Sequence, residues 1–229
     1  MSNIALIPVR GGSKSIPLKN IKIICGKPLV YWATKAASNS KVIDKVIVAT
    51  DHIDIRNTVI NFNLDKVEIY DRREENAQDT SSTKSLVLEY IENSNVEDDD
   101  NIFLIQATSP MITSKDIEGI YNKMLNEKAD SALTCVSNKR FYWTKDGKPI
   151  NHDINFRPRR QDFEGYMLEN GACYINSVKN LKRIENVLNG NVCVYEMPEY
   201  TGIEIDEEFD FLIVEKLMQK YDRINNEKY

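Results

Sequence analysis

The run Asn3-Ile4-Ala5-Leu6-Ile7-Pro8, followed at once by Val9-Arg10-Gly11-Gly12-Ser13-Lys14-Ser15-Ile16-Pro17-Leu18-Lys19-Asn20, decides the fold. A short apolar run without alternation suits a strand buried on both faces, the habit of parallel sheets. The polar loop behind it, carrying glycine and lysine, ends that strand. Lys27-Pro28 then opens an apolar-periodic helix to about Ser38, with proline suited to its first turn. Lys45–Thr50 (KVIVAT) is a β-branched strand, and Asp51 is placed to cap the helix after it.

The alternation continues. Lys66–Tyr70 reads as a short strand, Asp71–Gln78 as a polar loop, and Asp79-Thr80-Ser81-Ser82 as the entry to a helix ending near Asn93. Glu97-Asp98-Asp99-Asp100 reads as a solvated turn before the core strand Asn101–Gln106. A helix over Ser114–Asn126, capped by Thr113 or Ser114, leads to a strand over Ser131–Val136. After an aperiodic stretch come strands over Asn170–Asn176 and Val192–Met197 and a closing helix over Glu207–Tyr221. Strands alternating with helices predict an α/β fold: a Rossmann-like, mostly parallel sheet with helices on both faces. One domain is expected, with an inserted arm at about residues 139–169, rich in aromatic residues and arginine. Ligands of such sheets bind at the carboxyl ends of the strands.

The formal net charge of -5 argues against a dedicated nucleic-acid binder, which usually carries a basic face. It leaves room for a local basic pocket. Arg10 interrupts the first apolar run too early for a signal peptide, and no stretch is long enough to span a membrane. Cys25, Cys135, Cys173 and Cys193 are scattered without a CxxC pair, so reduced thiols and a cytoplasmic location are expected.

Four constellations carry chemistry. In the first loop, the glycines allow close backbone approach, successive N–H groups can form an anion nest, and Arg10, Lys14 and Lys19 bring positive charge. It is neither a Walker A loop nor a dinucleotide fingerprint. A solvated basic loop is its bland reading. Gln106-Ala107-Thr108-Ser109-Pro110 ends a core strand and reads either as a strand-end turn or as a ligand contact through the Gln106 amide. Alternation puts the carboxylates of Glu204 and Asp206 on one face of an extended segment, a spacing suited to Mg²⁺. The same acidic stretch also reads as capping of the following helix, to which Asp210 belongs. Arg157-Pro158-Arg159-Arg160-Gln161-Asp162, with Glu169-Asn170-Gly171 further on, is either an anion clamp or a surface basic cluster. His52 and His152 stand beside no candidate nucleophile.

Together these stretches resemble the acylneuraminate cytidylyltransferases, the CMP-sialic acid synthetases, over nearly the whole chain. The related ketodeoxyoctonate cytidylyltransferases have a different first loop. The resemblance implies that CTP and a nonulosonic acid are the substrates, that Mg²⁺ is the cofactor, and that the enzyme is a homodimer whose arm reaches the partner's site. It implies that Arg10, Ser13, Lys19 and Asn20 cradle the nucleotide, continued by Arg72, Ser81 and Thr83. Gln106 and Tyr174 would face the sugar acid, Arg159, Lys19 and Asp206 would be catalytic, and Glu204 and Asp206 would bind metal. The shared motifs leave open deaminated neuraminic, legionaminic or pseudaminic acid as the acceptor, and an inactive nucleotide-binding module is the rival of another class. Two positions depart from the family pattern. Glu204 stands where aspartate is usual, and Ser15 replaces a usual glycine, which would strain the loop if its φ were positive.

Overall fold

A computed structural model describes residues 1–13, 15–78, 81–184 and 186–221. Lys14, Asp79 and Thr80, which figure in the sequence reading, lie outside the described residues. In chain order the elements are β1 (Asn3–Pro8), β2 (Ile23–Ile24), β3 (Lys27–Pro28), α1 (Leu29–Asn39), β4 (Lys45–Thr50), α2 (Ile53–Ile60), β5 (Val67–Asp71) and α3 (Thr83–Asn93). They continue with β6 (Asn101–Ile105), α4 (Ser114–Glu127), β7 (Ser131–Asn138), β8 (Tyr166–Ser177), α5 (Val178–Ile184), β9 (Val192–Met197) and α6 (Glu208–Lys220).

A seven-stranded sheet runs in the order β5-β4-β1-β6-β8-β7-β9. β1 pairs in parallel with β4 and β6, β4 with β5, and β7 with β9, while β8 runs antiparallel to both β6 and β7. The unbroken apolar run of β1 is explained by its two covered faces. Ala5 and Ile7 join Ala33, Ile55 and Ile117 from α1, α2 and α4 on one side. Ile4 and Leu6 join Leu86 and Tyr90 of α3 and Leu181 of α5 on the other. Each of the isoleucine and leucine side chains contributes about 1.5–3 kcal/mol on full burial. α6 packs separately, placing Phe211, Val214 and Met218 against Ile16, Ile24 and Trp32. Among the described residues no helix is long and apolar enough to cross a membrane.

Several local expectations change. Lys27 and Pro28 form β3, paired with β2, and Pro28 is the N-cap of α1 rather than a residue of its first turn. Neither β2 nor α5 was expected, because a two-residue strand and a seven-residue helix leave too little periodicity to read. Asp51 does not cap α2; His52 does, its Nδ1 accepting from the Asp54 N–H at 3.2 Å. Thr113 caps α4 in a reciprocal capping box with Asp116. β8 begins earlier than expected, its exposed residues 166–169 pairing with the end of β7. Between these strands lies the aperiodic stretch, residues 139–165, in which a small hairpin sets Thr144 N against Lys148 O at 2.8 Å and Ile150 N against Tyr142 O at 2.9 Å.

Asp100 is not solvated. It is buried at the start of β6, where its carboxylate accepts from Ser2 N at 2.6 Å and Glu97 N at 2.9 Å. Burial pushes this carboxyl up, but those N–H groups outweigh it and hold it below the ordinary carboxylate value. A depressed folded-state pKa adds stability above the unfolded value of about 4, and that stability is lost as pH falls through the folded value. Asp100→Asn should therefore destabilise the protein at pH 7 by about 1 kcal/mol. In urea melts its gap from wild type should close toward pH 2, and an undiminished gap there would show that the charge is not the source.

Candidate active site at the carboxyl ends of the central strands

A cleft of about 240 Å³ opens where β1, β6 and the loop after β5 end. Its walls bring together Arg10, Ser13, Lys19, Asn20, Arg72, Ser81, Thr83 and Gln106, with Pro8, Ala107 and Thr108. Every residue expected to hold the nucleotide lines this one space. Parallel strands explain the convergence, because each crossover returns the chain to the same end of the sheet.

The first loop is held by specific contacts. Gly11 N donates to Asp51 Oδ1 at 2.9 Å, and a Cβ on Gly11 would stand 2.6 Å from His52 Cδ2. Glycine is therefore required by the close approach to α2's cap. Buried Asn20 donates from Nδ2 to Arg10 O at 3.1 Å, tying the two ends of the loop together. Leu18, at φ 49, turns the chain into the short helical turn Lys19–Ile21. Lys19 Nζ donates to Ile205 O at 2.8 Å and meets Asp206 Oδ1 at 3.1 Å. The Ser15 hydroxyl donates to Asp206 O at 2.5 Å.

Arg72 is the most constrained cation of the cleft. It is buried, donates from one terminal nitrogen to Asn76 O, and keeps an Nε with no hydrogen-bond partner among the described residues. Burial lowers its pKa from the ordinary arginine value, Arg10 adds to that, and Asp51 and Glu89 oppose it. A guanidinium that lines a polar cleft and is not fully hydrogen-bonded among the described residues fits an anionic or carbonyl-bearing ligand.

The acidic pair sits at the mouth. Ile205 N donates to Thr108 O at 2.9 Å, which fixes the extended segment beside β6. Glu204 Oε2 lies 3.5 Å from the Thr108 hydroxyl. Burial pushes the Glu204 carboxyl up, and the Asp206 charge adds to it. Asp206 stays largely exposed beside Lys19. Asp210 accepts from the N–H groups of Asp206 and Glu207, so it belongs, as expected, to the capping of α6, as the third residue of the box that the N-cap Glu207 opens. Among the described residues no group of three or more His, Cys, Asp or Glu side chains forms a metal site; the acidic set is this pair. Two hard carboxylate oxygens whose repulsion a cation would relieve do fit Mg²⁺, which commonly takes one or two carboxylates plus phosphate oxygens.

β8 shapes this mouth. Its pairing with β7 slips between Leu133–Tyr174 and Cys135–Glu169, leaving a bulge at residues 170–173. Within it, Ala172 O accepts from Gln106 N at 3.2 Å, which joins the bulge to the end of β6. Tyr174 lies beside the cleft rather than in its wall. It faces the core with Leu104 and Val87, while its hydroxyl donates to Glu169, and burial followed by that bond raises its pKa above the ordinary range. Arg159 is not brought to the cleft of its own chain; it is exposed in the aperiodic stretch, paired with Asp162 at 2.7 Å. Thr108 and Glu169 were not singled out from sequence. Both stand inside quoted motifs, but only the bond from Ile205 N brings Thr108 beside Glu204, and only the bulge sets Glu169 beside Tyr174.

Gly171 adopts φ +66, and a Cβ there would stand 2.6 Å from the Glu204 carboxylate. Gly171→Ala should lose about 1–2 kcal/mol of stability in denaturant melts. Gly12→Ala, with nothing within 4 Å of its Cβ, should be near neutral. Equal costs at the two positions would contradict this geometry.

Comparison with known proteins places this arrangement. Residues 4–228 match the cytidylyltransferase family. An N-acylneuraminate cytidylyltransferase of Oncorhynchus mykiss is 35% identical over 226 residues, covering 95% of this chain and 50% of its own length. N-acylneuraminate cytidylyltransferase A of Danio rerio is 34% identical over 232 residues, covering 98% and 52% respectively. A Streptococcus agalactiae protein of the same activity name is 25% identical over 228 residues, covering 93% and 52%. The chain thus spans about half the length of the curated relatives it matches. Among solved structures, CMP:2-keto-3-deoxy-manno-octonic acid synthetase complexed with CTP superposes with a TM-score of 0.72 at 19% identity, covering 96% of this chain and 100% of that one. A 4-diphosphocytidyl-2C-methyl-D-erythritol synthase from Anaerococcus prevotii gives a TM-score of 0.66 at 14% identity, covering 95% and 96%. These two likenesses speak to the fold, and the family match over residues 4–228 makes this chain a member of the cytidylyltransferase family.

Proposed function

We propose that this chain transfers the CMP moiety of CTP to the anomeric hydroxyl of an N-acylneuraminate and releases diphosphate. The observation that carries this reading is the one cleft lined by Arg10, Lys19 and Arg72 with Ser13, Asn20, Ser81, Thr83 and Gln106, where Asp206 meets Lys19 and Glu204 meets Thr108 of its wall. The acceptor class is supported by the activity shared by name among the relatives in fish and Streptococcus.

The residues divide the work. Arg10, Lys19 and Arg72 bring positive charge to the triphosphate, and the short polar side chains orient ribose and base. The acceptor hydroxyl attacks the α-phosphorus, the bond to the β-phosphate breaks, and diphosphate leaves. Positioning and charge stabilisation suffice for such a transfer, so no covalent nucleophile is needed. Gln106 at the end of β6 is the sugar-side group of the cleft wall, and Tyr174, outside that wall, acts on the sugar side through Glu169, which its hydroxyl holds. A Mg²⁺ ion held by Glu204 and Asp206 would supply Lewis-acid charge at the transferred phosphate.

Arg159 enters from a partner in this reading. The stretch that carries it exposes Phe156 at 82%, Ile150 at 62% and Ile154 at 60%, next to exposed Tyr166 and Met167 of β8. An apolar surface of that kind fits burial against a second copy. The four free cysteines accord with a reducing cytoplasmic compartment.

Diphosphate release should require CTP, Mg²⁺ and one acid from a panel of N-acylneuraminate, deaminated neuraminic, legionaminic and pseudaminic acids. The acid that supports turnover names the substrate, and release without any acid would refute the transfer. Asp206→Ala should cut kcat by at least about a hundredfold with the fold retained, as loss of a catalytic charge does. Arg159→Ala and Lys19→Ala should each be inactive alone. Mixed one to one they should recover about a quarter of wild-type activity, because half of a random dimer pool is mixed and each mixed dimer has one intact site. No recovery after subunit exchange would confine Arg159 to its own chain.

A further inference from the structure

α3 buries Leu86, Val87, Tyr90 and Ile91, and a carboxylate stands in the same buried set: Glu89 is 3% exposed. A carboxylate so placed is costly unless hydrogen bonds and nearby cations hold it. Glu89 has both. Its Oε1 accepts from the Tyr70 hydroxyl at 3.0 Å and from the Arg73 backbone N–H at 3.0 Å, and its Oε2 accepts from Asn76 Nδ2 at 2.5 Å. These donors bracket Arg72, whose guanidinium in turn donates to Asn76 O. A second tie runs alongside. Asn93 Nδ2 donates to Glu89 O at 2.7 Å, and Asn93 Oδ1 accepts from Arg73 at 3.0 Å.

Arg72 lines the cleft and Glu89 does not. The strand ladder fixes Arg72 only through its own N–H, bonded to Thr50 O at 3.0 Å. Beyond that point the loop leaves the sheet, and the Glu89 carboxylate is what gathers it. The same carboxylate acts electrostatically on the Arg72 guanidinium, with Asp51 as the other acidic neighbour. The cation is thus held from behind while its side chain lines the cleft. Preorganisation of this kind lowers the ordering cost at binding.

We propose that Glu89 is a positioning residue for the cytidine nucleotide: it clamps the Tyr70–Asn76 segment and balances the charge of Arg72, so that the guanidinium stands ready for CTP. This rests on the nucleotide reading of the cleft. A merely structural carboxylate would affect stability alone or all kinetic constants together. A positioning one acts on the CTP side of the reaction.

Calorimetric binding of CTP tests this independently of turnover. Glu89→Gln removes the charge with little change in volume, and Asn76→Ala removes the tether while keeping the charge. Each should raise the CTP Kd and the CTP KM about tenfold, with kcat and the acid KM changed less than about twofold. Combining Glu89→Gln with Asn76→Asp returns an acidic partner and a donor to the same pair, and should recover most of the CTP affinity. Folding of each variant is checked by its melt. If Glu89→Gln does not fold, half-buried Asn76→Ala decides the question. Folded variants that bind CTP as wild type does would overturn the proposal and leave the nucleotide site standing. Equal losses in kcat, CTP KM and acid KM would overturn it as well. Failure of the wild type to bind CTP would overturn the nucleotide reading and this proposal together.

Discussion

Lys19 joins two ends of the chain across the cleft. Its ammonium bonds the carbonyl of Ile205, 186 residues away, and pairs with Asp206, while its side chain is only 11% exposed. A lysine whose stem is covered and whose charge meets oxygen acceptors is held in one place. That contact brings the acidic segment to the cationic loop. Ile205 N bonding to Thr108 O and Ser15 bonding to Asp206 O reinforce the same junction. Without it, the cations of the loop and the carboxylates after β9 would belong to separate surfaces.

The electrostatics of the cleft follow from this closure. Burial lowers Arg72 and raises Glu204, each penalised in its charged form, and opposite charges stand close by. Charges fixed in a partly dry cleft interact with a charged ligand more strongly than the same groups in water. The protein can be acidic overall, at -5, and still concentrate cations where the strands end. β8 adds the other constraint. It lies between β6 and β7, antiparallel to both, and its bulge presents Gly171 next to Glu204.

Much of this was legible in the residues. The strands β1, β4 and β6 matched their apolar runs closely, because strands buried on both faces must be continuously apolar. The residues expected to hold a nucleotide were singled out by motif resemblance, and all of them line one cleft. The direction of β8 was not legible, since antiparallel and parallel core strands share a composition. Asp51 looked like a helix cap and Asp100 like a solvated turn, because short acidic residues suit both roles; a tertiary N–H took each one instead. Ser15 stood out only as a replacement for glycine, and the bond from its hydroxyl to Asp206 O was not legible at all.

The sequence by itself determined the alternation of strands and helices, the identity of the cationic loop and the spacing of Glu204 and Asp206. These depend on local periodicity and residue type, which survive in one dimension. Tertiary structure decided that β8 reverses, that Arg159 lies away from its own cleft, and that Glu89 gathers the Arg72 loop. Those outcomes depend on which distant backbone groups need hydrogen-bond partners once water is excluded, and that demand exists only after the chain has packed.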